Sequence, residues 1–193
     1  ALLFGKGTMT PSGALLRANE PSLLLLPPSA SAPRGTLLAL AGGESAAHPS
    51  LGRALVLRRS EDGGSPWSNA TFPFGSFADP VTVGSFFQSQ LTFDAARKAV
   101  LLTIGNITQH LNGCGNGPGN TEDLDGLLVI RSLDRGVSWS AATNIAPLRA
   151  PTRCLAPTTG HGVQMLNAET PAAYRARILV AAVHNEYHGD VVV

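Results

Sequence analysis

An all-β chain assembled from repeated strand modules is predicted, on three observations. The pattern Ser-x-Asp-x-Gly-x-x-Trp occurs twice, at residues 60–67 and 132–139, 72 residues apart (60 to 132). Each copy directly follows an apolar strand pattern, Ala54-Leu55-Val56-Leu57-Arg58-Arg59 in one case and Leu127-Leu128-Val129-Ile130-Arg131 in the other, so the repeated unit is a strand running into a turn. The 21 glycines and 14 prolines suit many short strands and turns and disfavour a helical bundle.

The repeated box has a physical logic. In the first copy Ser60, Asp62, Gly64 and Trp67 carry it, and in the second Ser132, Asp134, Gly136 and Trp139. Asp accepts hydrogen bonds from nearby amides, Gly takes the positive φ that the reversal needs, and Trp packs over the hairpin. These eight residues are structural, and nothing in the pattern is catalytic.

Strand signals recur in threes. The first set is 21–26, 35–40 and 54–59, and the second is 90–93, 99–104 and 127–131. A third set takes 162–166, 177–182 and 190–193, after which a third box is expected by register. The modules therefore span about 20–75, 88–145 and 160–193, the last one truncated, within a single domain 1–193. Radial repetition of four-stranded sheets is a β-propeller. A period of about 70 exceeds the usual solenoid unit, and a sandwich does not account for paired boxes. In propeller wiring the boxes share one face. The opposite face collects Asn19-Glu20, 44–53, 106–125, 140–160 and 184–189.

Composition bounds the partners. With 44% hydrophobic and 14% charged residues the chain is a folded domain, and a net charge of +1 without a basic block gives no case for nucleic acid. No apolar stretch is long enough to span a bilayer. The first residue is Ala1 and no signal-peptide order is visible, so the chain reads as a piece of something longer.

The boxes and their strands resemble the Asp-boxes of sialidases (neuraminidases), the BNR-repeat propellers. Residues 55–64 resemble the family's first-box segment, and 35–41 resembles the strand before its first active-site loop. Gly160-His161-Gly162-Val163-Gln164-Met165 is similar to the family's Gly-His-Gly-Ile-Gln-Leu strand. The resemblance implies a six-bladed β-propeller of sialidase type, of which this chain covers roughly the first two and a half blades. It also implies a glycosidase, a hydrolase of carbohydrate metabolism that removes terminal sialic acid from glycoconjugates. Its machinery would be a Tyr nucleophile paired with Glu, an Asp acid/base and three Arg on the sugar carboxylate, with no cofactor.

Carried over residue by residue, the family's Arg-Ile-Pro falls on Asn19-Glu20-Pro21, and its Glu-Gly-Arg on Gly42-Gly43-Glu44. The loop from Ser45 to Arg53, where the acid/base would lie, contains no Asp. An Arg-to-Glu exchange turns attraction for a carboxylate into repulsion. Arg17 and Arg53 are the cations nearest to the vacated positions. The alternative function is a propeller without catalysis that binds a glycan or a protein through the same face.

Glu44, His48, His161, Gln164, His184, Asn185 and Glu186 are the candidate substrate-binding residues, because they place donors and acceptors on loops of the site face or at the start of an inner strand. The plain reading of each is an ordinary polar loop residue, or, for His161 and Gln164, one that satisfies backbone groups. His184, Glu186 and His188 lack a fixed helical spacing, and no metal is expected. Cys114 and Cys154, the two cysteines, fall in loops of the same face and form a possible disulfide. Asn69-Ala70-Thr71 and Asn106-Ile107-Thr108 are glycosylation sequons, in keeping with a secretory, extracellular or lysosomal route.

Overall fold

The computed structural model describes residues 9–10, 13–45, 54–74, 85–107, 127–145, 155–157, 160–166, 176–184 and 189–192. Every regular element among them is a strand, and the strands form three antiparallel sheets. The first sheet runs β1 (Met9–Thr10), β2 (Gly13–Leu26), β3 (Thr36–Ser45), β4 (Ala54–Ser60). The second runs β5 (Ser85–Asp94), β6 (Ala99–Ile107), β7 (Leu127–Ser132), β8 (Thr143–Asn144). In the third, β9 (Leu155–Pro157) and β10 (Val163–Gln164) pair with opposite ends of β11 (Ile178–His184), and β12 (Gly189–Val192) takes its other edge.

The expected strands are all present, but the inner strands reach further back than the apolar patterns. β2 begins at Gly13 rather than residue 21, β5 at Ser85 rather than 90, and the third inner path at Leu155 rather than 162. The cause is local. Pro21 has no amide hydrogen, and Glu20 and Pro21 together face Ala41 across a bulge between the pairs Asn19↔Gly42 and Ser22↔Leu40. Beyond it the strand continues through Asn19 and Arg17, so the bulge and these polar residues break the apolar run of 21–26.

Register accounts for the core. Opposite residues of antiparallel strands share a face, so Ser22, Leu24, Leu26, Leu38, Leu40, Leu55 and Leu57 line one side of the first sheet. Leu91, Phe93, Val100, Leu102, Ile104, Leu128 and Ile130 line one side of the second. These leucines, isoleucines and valines form one buried cluster, with Phe74, Phe93 and Trp139 packed at its margin. Each fully buried Leu or Ile contributes about 1.5–3 kcal/mol relative to exposure, so this seam is the main apolar bond between two modules.

The 72-residue repeat is reproduced in the hydrogen bonds. The amide of Ser68 donates to Arg59 O at 2.7 Å, and that of Ser140 to Arg131 O at 2.8 Å. Ser60 Oγ accepts the amide of Gly64 at 3.0 Å, and Ser132 Oγ that of Gly136 at 2.7 Å. Thr71 bridges Leu57 where, in the second sheet, Thr143 pairs Val129. The first module's outer strand is thus a single bridge among the described residues.

The two turns differ at their aspartates. Asp134 accepts from the amides of Val137 and Ser138 at 3.1 and 2.9 Å, from Ser132 Oγ at 2.8 Å and from Ser138 Oγ at 2.5 Å. In the first turn Pro66 stands in place of Ser138 and supplies neither amide nor hydroxyl, and Asp62 instead meets Arg34 at 3.1 Å. Partial burial raises the Asp134 carboxyl, but the bonds from Ser138, Ser132 and Val137 outweigh it and bring the value down from 3.8 to about 2.

The second turn also clamps the first sheet. Arg135, at φ 62°, reaches back with Nε to Thr36 Oγ1 at 2.9 Å and with Nη2 to Pro27 O at 2.6 Å, while Arg59 Nε donates to Arg135 O at 3.0 Å. Gly136 has φ +84°, and a Cβ there would stand 3.1 Å from a Leu38 methyl.

Two outcomes are expected. Gly136→Ala combines left-handed strain with overpacking and lowers stability by about 1–3 kcal/mol, read as a shift of the urea midpoint. The Asp134 contribution is complete above pH 3.8 and lost as pH falls through that value toward about 2. Discounted for solvent screening it is about 1 kcal/mol, and Asp134→Asn flattens the difference in stability between pH 5 and pH 2 relative to the unmodified chain.

Candidate functional site

The inner strands β2, β5 and β9–β10 define the centre of the assembly. β5 and the segment that leads into β10 run in the same sense, since Leu91 and His161 form a parallel bridge. Ser22 Oγ accepts the amide of Leu91 at 3.1 Å and donates to the carbonyl of Gly160, linking all three sheets. The Gly162 amide donates to Leu91 O at 3.3 Å and to Thr92 Oγ1 at 3.1 Å. A Cβ on Gly162 would lie 2.3 Å from Thr92 Oγ1 and 2.9 Å from Leu179 O. Glycine is therefore required there for the close approach of third to second sheet.

Gln164 completes this seam at the end where the box turns lie. Its Nε2 donates to Asp94 Oδ1 at 2.8 Å and to Ala176 O at 3.2 Å, and its Oε1 accepts the amide of Ala95 at 2.7 Å. Asp94, 2% exposed, also holds Arg97 through Oδ2 at 3.0 Å and accepts its amide at 3.1 Å. Burial raises the Asp94 carboxyl, yet the bonds from Gln164 and Arg97 outweigh it and leave it below the ordinary range. The Gln164 amide is spent on the protein itself, the plainer of its two expected roles, and it has no part in the site developed below. His161 is exposed beside the Leu91 bridge.

The opposite ends of the inner strands form the other face. There Asn19 lies directly across from Gly42, and Arg17 directly across from Glu44, on the paired ends of β2 and β3. Arg17, Asn19, Gly42 and Glu44 therefore occupy one side of this strand pair. Phe86 faces Asn106 at the corresponding end of the second sheet, and His184 faces Leu155 in the third. Ser45 closes β3. His48 and the rest of the loop to Arg53, Asn185 and Glu186, and Cys114 and Cys154 with their possible disulfide lie outside the described residues.

The Arg17–Glu44 opposition was not legible as a pair in the sequence. The bulge at Glu20-Pro21 sets the register. Ser22, Thr92 and Asp94, the polar seam, were also missed. Their signal is a polar residue interrupting an apolar strand, with Ser22, Leu24 and Leu26 sitting 68 residues before Gln90, Thr92 and Asp94.

No family model matches the chain. Among solved structures it is similar to a Hadza microbial sialidase, at TM-score 0.65 and 19% identity over 91% of this chain and 35% of that one. The Trypanosoma rangeli sialidase in complex with a difluoro-KDN compound gives 0.64 and 12%, over 98% and 31%. The leech intramolecular trans-sialidase gives 0.58 and 15%, over 87% and 40%. The chain thus has the sialidase-type β-propeller fold. It spans about a third to two fifths of the length of these three proteins.

Gly162→Ala is expected to detach the third sheet from the second. Gln164→Leu strands the Ala95 amide and part of a buried carboxylate, at about 1–3 kcal/mol. Amide exchange at positions 95 and 162 reads both, rising at Ala95 in Gln164→Leu and at both positions in Gly162→Ala, since the amide of residue 162 donates to Leu91 O and Thr92 Oγ1.

Proposed function

We propose that this chain is the opening part of a six-bladed sialidase-type propeller, its box turns acting as Asp-boxes, that handles terminal sugars of glycoconjugates on the face opposite those turns. The carrying observation is the convergence of Arg17, Asn19 and Glu44 on that face, at the strand ends where the sequence resemblance places sugar-binding arginines. The reaction is glycoside hydrolysis through an oxocarbenium-like state, with the acid/base and nucleophile supplied by residues other than those described. Exo-acting hydrolysis of sialosides or related sugars fits the neighbours named above, of which one is an intramolecular trans-sialidase carrying 2,7-anhydro-Neu5Ac.

Closure into a ring is supported by the first sheet itself. Leu23 and Leu25, 56% and 60% exposed, occupy the positions of Leu91 and Phe93, 68 residues further on, which pack against the first sheet. A run apolar on both faces is built to be covered on both. Another module seated on Leu23 and Leu25 would repeat the contact already made between the first two.

Glu44 favours a second reading. Without Arg at 19 and 44, a carboxylate at the centre depends on Arg17, and Arg17 has an acid as its direct cross-strand neighbour. A propeller lacking catalysis that binds glycan or protein through this face is consistent with that arrangement.

Hydrolysis of a fluorogenic sialoside by the full-length protein separates the two. Turnover that drops about a hundredfold in Arg17→Ala establishes the enzyme and assigns the carboxylate contact to Arg17. Absence of turnover in both the unmodified protein and Glu44→Arg rejects the enzyme, and a glycan array then tests the binder.

A further inference from the structure

We infer that Asn69 carries an N-linked glycan. The sequon Asn69-Ala70-Thr71 lies at the outer edge of the first sheet, just after the first box turn. Asn69 and Thr71 are exposed while Ala70 between them is buried, 6% exposed. The alternation follows from extended backbone: Thr71 exchanges both main-chain bonds with Leu57, at 2.9 and 2.8 Å. The acceptor asparagine and the hydroxyl residue therefore share the solvent side of an edge segment, where a branched oligosaccharide has room.

The local fold makes no structural demand for asparagine at this place. In the second module the corresponding residues are Ala141-Ala142-Thr143. The surrounding bonds recur unchanged there: Ser68 Oγ donates to Asn69 O at 2.9 Å, and Ser140 Oγ to Ala141 O at 2.8 Å. Asn69 is thus an addition to a position that works as alanine. The second sequon is placed differently, since Asn106 lies within β6, paired to Phe86 of β5.

A glycan at this position also meets a need of the sheet. Beyond β4 the described partners are the Ser68–Arg59 bond and the bridge at Thr71, one residue pair fewer than β7 has, which also pairs both residues of β8. A thinly paired edge invites strand addition by another chain, and a bulky hydrophilic group beside it blocks that approach. In the transfer, Asn69 Nδ2 forms a bond to C1 of the sugar of a lipid-linked oligosaccharide. The C1–O bond to the lipid pyrophosphate breaks, the pyrophosphate leaves with the bond electrons, and the amide loses one proton.

The test is expression of the full chain behind a cleavable secretion leader in a eukaryotic host, with total lysate run before and after peptide-N-glycosidase. Reading the lysate keeps poorly folding variants visible. The expected result is a mobility step removed by the enzyme, absent in Asn69→Gln and Thr71→Ala and retained in Thr71→Ser. Peptide mass spectrometry of the unmodified chain, with the enzyme reaction in heavy-oxygen water, should find Asn69 converted to labelled Asp. No step, or steps that Asn106→Gln removes and Asn69→Gln leaves intact, overturns the inference.

Discussion

The hydroxyl of Ser22 accepts the amide proton of Leu91 and gives its own proton to the carbonyl of Gly160, so one buried side chain fixes the mutual height of three inner strands. That height decides everything around it. It brings Leu24 and Leu26 level with Leu91 and Phe93 in the apolar seam, and it sets Gly162 against Thr92 at a distance only glycine allows. A slip of one residue would move each strand's buried set to the other face. Polar bonds contribute little net free energy individually, and their effect here is to select one register among several that the leucine-rich strands would tolerate.

The turns at the other end of the strands extend the same logic outward. The second turn is internally complete through Asp134 and is anchored on the first sheet by Arg135, so it serves its own sheet and its neighbour. The first has lost the donor at Pro66, and its aspartate is turned outward to an exposed arginine. Such a surface pair is worth little. The first turn is held instead by Ser60, by the Ser68–Arg59 strand bond and by the clamp that the second turn places on it. Repetition permits this decay, because a neighbour supplies what the local sequence lacks.

What was legible in the sequence follows from the range of each interaction. Strand identity and the two turns are local, and residues 54–67 and 127–139 disclose them through alternation and a fixed spacing of Ser, Asp, Gly and Trp. The beginnings of the inner strands were not legible, because in β2 Arg17, Asn19, Glu20 and a proline-made bulge interrupt the apolar run and mimic a loop. The parallel contacts between inner strands were not legible either. They join residues about 70 apart without local periodicity, and Gln164 could not be told from a ligand-facing residue until Asp94 and Ala95 were seen to occupy it. Of the candidate site, Asn19, Glu44 and His184 fall within strands β2, β3 and β11, although the sequence reading puts Glu44 and His184 in loops, while its remaining loops fall outside the described residues.

The site face inherits its character from the same bulges. With Glu20 and Pro21 set together against Ala41, the strand beyond them regains pairing with Arg17 opposite Glu44. Had β2 continued without interruption, each residue before the bulge would pair one position differently and present the opposite face. The cation and the acid would then no longer be direct neighbours. Charge at this end is thus a property of backbone registry as much as of residue identity.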